Sequence, residues 1–307
     1  MTQEYEALLA LAAAHLLDPA RAGQRLTTTV RCYIKDARAA FRWLAVHGIP
    51  ATLARPADLQ QYLDSLGGRY RPATIRRKSV SLRAVYLALA DAGAISHNPA
   101  AELRAPKRRQ APRKPPLPTP TAKRLLAAPQ PSSVKGVRDR AILTGLLCHG
   151  LAVSEVCALN IGDLDLAART LRVTGRRGRV RTVELTAQTA GVFRRWLAAR
   201  ALLKPDTLAL FVSLHWTTGR AAPGQRISVR GVRQMVRGYL AQVGMNESGV
   251  SCQALRRTYT TLTLAAGADL RAVAASLGHV STATTQAYAE DTETVQDNPA
   301  RYLSGLL

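Results

Sequence analysis

Three polar residues near the C-terminal end have side chains that could act together on one phosphate. Arg256, His279 and Tyr288 lie within SCQALRRTYTTLTLAAGADLRAVAASLGHVSTATTQAYAE, residues 251–290. A guanidinium neutralises an anion, an imidazole exchanges protons near neutral pH, and a phenol can serve as a covalent nucleophile. Brought together, they could surround a phosphate with Tyr288 as the attacking group. The alternative is an Ala-rich helical bundle in which these side chains are incidental.

Convergence requires short helices with tight turns, and the punctuation for them is present. Gly267 ends a first helix, Asp269 caps a second, Gly278 ends that one, and Ser281 caps a third carrying Tyr288.

The whole chain has the charge such a site would need. It has 307 residues, 47% hydrophobic and 5% aromatic, with a formal net charge of +23. That length accommodates two domains with separate cores. The surplus of Lys and Arg speaks against an ordinary enzyme of small metabolites and for a nucleic-acid binder, because cations on phosphates release condensed counterions. No apolar run of about 18 residues and no signal peptide stand out, so a cytoplasmic, nucleoid-associated protein without membrane contact is expected. Cys32, Cys148, Cys157 and Cys252 are scattered without a CxxC pair and read as reduced thiols.

Helical periodicity and breakers place helices at 4–17, 27–47, 56–66 and 74–92. The last carries Arg76, Arg77, Lys78 and Arg83, with Arg71 just ahead of it. Few acids lie at pairing distance along it, which favours a phosphate-facing helix over an ordinary solvated face. APKRRQAPRKPPLPTP follows, too rich in proline for a helix. It reads as an extended linker over 106–120 whose Lys107, Arg108, Arg109, Arg113 and Lys114 could track a DNA backbone. Beyond it, short helices are expected at 120–129 and 138–149. Strands at 170–174 and 180–185 are joined through GRRGR. Helices at 186–203 and 228–243 flank a short strand at 208–212. The expected architecture is mostly α with a small β-hairpin or sheet in the C-terminal domain. The divisions are 1–105, 106–120, 121–290 and a tail at 291–307.

Several strings together resemble the tyrosine recombinase (phage integrase and Xer-type) family. They are LRR, GADLRAVAASLGH and TTQAY, preceded by RDRAILTGLLCHGLAVSEVCALNIGDLDL and VTGRRGRVR. YIKDARAAFRWLAVHG, PADLQQYLDSL and TIRRKSVSLRAVYLALADAGAISHNPA are similar to the core-binding domain of the same family. The resemblance runs from roughly Leu26 to Glu290. It implies a helical core-binding DNA-binding domain and a catalytic-type domain, forming a two-domain C-shaped clamp on double-stranded DNA. It further implies metal-free and cofactor-free strand exchange through a 3′-phosphotyrosyl intermediate. The apolar tail residues Tyr302, Leu303, Leu306 and Leu307 suit self-association on DNA.

Carried over position by position, the resemblance is incomplete. The family motif TGLRxSE is matched by residues 149–155, which puts Ala152 where the first arginine belongs. The lysine turn VxGKGxKxR becomes VTGRRGRVR, with Arg176 at the lysine position. HxLRH becomes QALRR, which keeps Arg256 and replaces the first histidine by Gln253. LGH keeps His279, and Tyr288 stands at the nucleophile position. Arg177, Arg179, Arg257 and His149 are candidates to make up the missing charge, and the first three could also contact DNA. Two readings follow: a recombinase, or an impaired recombinase-fold protein serving as a DNA-binding or accessory subunit, potentially beside an active partner recombinase.

Overall fold

The computed structural model describes residues 3–18, 27–107, 116–175, 178–214, 224–245 and 251–278. Cα packing divides the chain into two units, 1–112 and 113–307, each described here by itself.

The first unit is helical. Helices α1 (Gln3–Leu17), α2 (Thr27–Val46), α3 (Pro56–Ser65) and α4 (Pro72–Asp91) surround one apolar core. Aromatic rings link three of them. Tyr5 and Phe41 pack edge to face at 5.8 Å, and Phe41 and Tyr86 at 5.7 Å, a favoured arrangement of ring quadrupoles. The buried Tyr86 hydroxyl donates to the Ala51 carbonyl, 3.1 Å away. Pro56 and Pro72 open α3 and α4, where the missing N–H is no loss. The fourth helix therefore begins two residues earlier than periodicity suggests, at the proline.

The second unit is built around α6 (Val134–Cys148), which is buried almost continuously from Arg138 to Cys148. Its C-terminal half, from Ala141 to Cys148, is apolar apart from Thr144 and buried on every side, which puts it at the centre of the domain. Arg138 and Asp139 ahead of it are buried as an ion pair. Around it pack α5 (Thr119–Ala127), α7 (Val153–Ala158), α8 (Ala187–Leu202), α9 (Val229–Gln242) and α10 (Cys252–Ala265). Helix α11 (Leu270–Leu277) packs on α10. Ser133, Thr186, Ser228 and Asp269 cap α6, α8, α9 and α11, each accepting from a backbone amide of the first turn.

A small antiparallel sheet completes the unit in the order β1 (Leu164–Asp165), β2 (Thr170–Thr174), β3 (Val180–Glu184). Thr170 pairs with Glu184 and Thr174 with Val180. Leu171 and Val173 turn inward while Arg172 and Thr174 turn out, the alternation a half-buried strand requires.

Residues 208–212 differ from expectation. They form two isolated bridges, Asn160 with Ala209 and Val212 with Arg226, in place of a strand. Backbone pairing is divided between two segments, with the Ile161 amide donating to Leu208 O, the Leu210 amide to Leu159 O and the Ile227 amide to Phe211 O. Trp196 Nε1 donates to Leu210 O at 2.9 Å and Arg200 Nε to Ala209 O at 2.9 Å. Because its two ends pair with different segments, no continuous ladder forms there. The short α7 and the two-residue β1 lie below the length at which periodicity is readable, and sequence reasoning passed over both.

Candidate active site

Arg256 is held on α10 by the burial of its neighbours. Leu255 and Tyr259 are 0% and 1% exposed and fix the helix against the core, which leaves Arg256 at its half-buried edge. Its guanidinium is fully directed. Nη1 donates to Gly150 O at 2.7 Å, and Nη2 to Leu277 O at 2.5 Å. The first acceptor lies in the turn between α6 and α7, the second at the last residue of α11. One side chain thus ties three segments that are distant in sequence.

Glu155 sits at the centre of this arrangement. It is 8% exposed, and a buried carboxylate needs partners. Arg181 on β3 supplies the main pair, Nη1 to Oε1 at 2.8 Å and Nη2 to Oε2 at 2.9 Å, in the bidentate fork that favours arginine over lysine. Arg256 Nη1 lies 3.5 Å from Oε2, and the Ala152 amide donates to Oε2 at 2.8 Å. Burial alone would raise the Glu155 pKa. Arg181, the amide and Arg256 outweigh it, and the carboxyl sits below its ordinary value. Two guanidiniums against one carboxylate leave a surplus of positive charge, the sign an anionic phosphate requires.

Arg181 also reaches a third element, Nε donating to Ser276 O at 2.7 Å in the last turn of α11. The helix ends at Gly278 with φ +66°, a left-handed C-cap that glycine adopts without penalty. A Cβ there would stand 3.0 Å from Arg181 Nη1, so the guanidinium packs directly beneath the turn.

Of the other residues singled out from the sequence, Ala152 is half-buried at the start of α7, and Gln253 is exposed on the first turn of α10. Arg179 is exposed beyond the β2–β3 turn, which the Gly175 amide closes by donating to Arg179 O at 2.7 Å. Arg257 is half-buried on α10. Arg176, Arg177, His279 and Tyr288 fall outside the described residues.

His149 cannot make up missing charge. It is 1% exposed, its Nε2 lies 3.1 Å from Thr189 Oγ1, and burial pushes its pKa down to about 4. It is neutral near pH 7, a core histidine. Sequence reasoning missed Glu155 and Arg181 as partners, although both occur within the motifs it used: the last residue of GLAVSE and the last of VTGRRGRVR.

In the first unit the cations expected to face DNA divide into two groups. Arg71 and Arg77 are exposed and Arg76 half-buried on or beside α4. Lys78 is 8% exposed, and its Nζ pairs with Asp36 Oδ1 on α2 at 3.2 Å. Asp36, 3% exposed, also accepts from Ser81 Oγ at 2.8 Å and from Arg77 Nη1. Arg83 is half-buried and donates through Nη2 to the Leu103 carbonyl. The phosphate-facing expectation for Lys78 is therefore corrected: it is an internal counter-ion. A search along one helix for acids could not find Asp36, which lies on another. Lys107 is exposed, while Arg108, Arg109, Arg113 and Lys114 lie outside the described residues.

Residues 117–294 match the family model described as Phage integrase family. Tyrosine recombinase XerC of Pelobacter propionicus is 34% identical over 85% of this chain and 83% of its own length. Tyrosine recombinase XerD of Lacticaseibacillus casei is 31% identical over 89% and 90%. Among solved structures, XerH site-specific recombinase in a post-cleavage complex with a palindromic difH substrate aligns over 95% of each chain. Its TM-score is 0.67 at 16% identity, a likeness of fold. The XerA recombinase crystal structure aligns over 97% of each chain with a TM-score of 0.51. Sequence relationship and fold agree, and the chain belongs to the phage integrase family, the tyrosine recombinases of site-specific DNA recombination.

Proposed function

We propose that this chain binds double-stranded DNA and acts in site-specific recombination, with Arg256 at the scissile phosphate and Tyr288 as the nucleophile. The observation that carries the reading is the fixed guanidinium of Arg256, oriented by the Gly150 and Leu277 carbonyls and backed by the Glu155–Arg181 pair. The formal charge of +23 supports DNA as the partner. XerH and the Tn1549 transposon integrase, both similar in fold, were solved bound to DNA.

In this reading the phenol oxygen of Tyr288 attacks phosphorus, the 5′-hydroxyl leaves, and a 3′-phosphotyrosyl bond forms. Arg256 offsets charge on the phosphorane, the phenol gives up its proton as it attacks, and the departing 5′-oxygen takes one up. The resemblance assigns Arg176, Gln253 and His279 to assist these steps. Losing one preorganised donor to such an anion typically costs about 10²–10³ in rate. With Ala152 in place of a cation, unaided cleavage is slow. Incubation with a nicked suicide duplex bearing the chain's own site tests this: a covalent adduct lost in Tyr288→Phe supports it, and no adduct on prolonged incubation counts against unaided cleavage.

The same vacancy at residue 152 favours a second reading, an accessory or architectural subunit whose active partner recombinase supplies cleavage. Adduct formation only when such a partner is added would select it. Self-association belongs to either reading, through Tyr302, Leu303, Leu306 and Leu307 of the tail. Ultracentrifugation on DNA of a chain ending at Glu290 tests it, since unchanged assembly would remove the tail from consideration.

A further inference from the structure

We infer that Arg181 is a positioning residue of the Arg256 site. Through Glu155 and the end of α11 it holds the frame that aims Arg256. The inference rests on the reading that Arg256 meets a DNA phosphate, and goes beyond it by assigning a role to a residue outside the carried-over set.

The argument begins with what Arg256 touches. Its acceptors are Gly150 O before α7 and Leu277 O at the end of α11, so its direction depends on where those two segments lie. Arg181 grips the same two segments independently. Nη1 and Nη2 hold Glu155, whose Oε2 accepts from the Ala152 amide. Nε holds Ser276 O, one residue before Leu277. Every arm of Arg181 therefore ends next to an acceptor or partner of Arg256.

The environment makes this grip effective. The Arg181 side chain is 13% exposed and that of Glu155 is 9%, so water competes weakly for either group. Removing Arg181 would leave Glu155 to pair with Arg256 alone, now 3.5 Å away, and Coulomb attraction would draw that guanidinium toward the carboxylate and off its aim. Lysine keeps the charge but cannot serve Oε1, Oε2 and Ser276 O in one plane. The packing of Nη1 beneath Gly278 adds a steric reason for a flat guanidinium at this place.

Hydrogen exchange and duplex binding on the full chain test the two layers separately. In Arg181→Ala, backbone amides of 150–158 and 270–278 should exchange about tenfold faster or more, while those of α8 and α9 keep their protection. Unchanged protection at 150–158 and 270–278 overturns the inference. Arg181→Lys should show the same local pattern more weakly, and decides the matter should the alanine variant fail to fold. Affinity for a short duplex is then measured for Arg256→Ala, Arg181→Ala and the double variant. The effect of Arg256→Ala should shrink when Arg181 is already absent; effects that add independently overturn positioning. If Arg256→Ala alone leaves duplex affinity unchanged, the phosphate reading fails, and the exchange data still judge whether Arg181 frames the site.

Discussion

The Glu155 carboxylate accepts a 2.8 Å hydrogen bond from the backbone amide of Ala152, so the start of α7 is fixed without any contribution from the residue-152 side chain. A new side chain at this half-buried position leaves that bond intact. Ala152→Arg is therefore expected to fold, at a cost of about 1 kcal/mol. On a suicide duplex it should raise the rate of adduct formation by about 10²-fold or more. Ala152→Lys should recover less, because an ammonium cannot bind two phosphate oxygens side by side. Adduct rates for the three proteins provide the check, and no gain for arginine would move the defect elsewhere in the site.

On α4 the division between exposed and paired cations has a measurable counterpart. Each cation that neutralises a phosphate contributes about 0.9 to the slope of log affinity against log salt. Arg71→Ala is expected to lower the slope by about that amount, and Arg77→Ala by less, since its side chain is 44% exposed but shared with Asp36. Lys78→Met should leave the slope unchanged and cost stability, because it leaves the buried Asp36 with one cation fewer. Duplex titrations between about 50 and 200 mM salt distinguish them.

His149 gives the second unit a pH dependence of predictable sign. Its folded pKa is about 4 against an ordinary 6.5, so the unfolded chain binds more protons between those values. Stability is complete above pH 6.5 and falls as pH drops toward 4, by as much as roughly 3 kcal/mol. Denaturant unfolding across this window should show the slope in the parent protein. In His149→Gln the slope should flatten, since glutamine does not titrate.

How far this molecule was legible depended on how local each signal was. Helices with caps and glycine stops could be read directly: Asp269 and Gly278 bound α11 where the sequence placed them. Arg256 was identified by type and motif, but its partners were not, because Gly150, Glu155 and Leu277 lie as many as 106 residues away. Lys78 shows the opposite failure. Its charge was visible, whereas its burial against Asp36, 42 residues earlier, arises only from the packing of α2 on α4. Residues 208–212 pair at one end with Asn160 and at the other with Arg226, two separate partners that a reading of the segment alone does not include.

Asp139, fully buried, is the polar anchor of the second unit. It accepts from Arg138 Nε at 2.9 Å, Arg138 Nη2 at 2.7 Å, Lys135 Nζ at 3.0 Å and Tyr239 Oη at 3.0 Å, joining α6 to α9. Arg138 Nη1 continues the network to Val212 O at 3.0 Å. Asp139→Ala strands the buried Arg138 charge and should cost about 3–5 kcal/mol. Lys135→Ala, whose side chain is 50% exposed, should cost about 1 kcal/mol or less. Urea midpoints of the two variants test the ranking, and comparable losses would contradict it.

Gly150 combines a backbone demand with a packing demand at the point where Arg256 is held. Its φ is +59°, and a Cβ would stand 2.5 Å from the Tyr259 ring and 2.7 Å from a Leu277 methyl. Neither neighbour can yield easily. Tyr259 is 1% exposed with its hydroxyl 3.0 Å from Ser276 Oγ, and Leu277 is 1% exposed at the end of α11. Left-handed backbone costs a non-glycine residue about 1–2 kcal/mol, and overpacking a rigid core about 1–3 more. Gly150→Ala is therefore expected to lose about 2–5 kcal/mol. It should also weaken duplex binding beyond what stability explains, since the carbonyl that aims Arg256 belongs to the displaced residue. Binding is compared at a temperature where both proteins are fully folded. There the glycine variant should resemble Arg256→Ala, and parental affinity would detach Gly150 from the site.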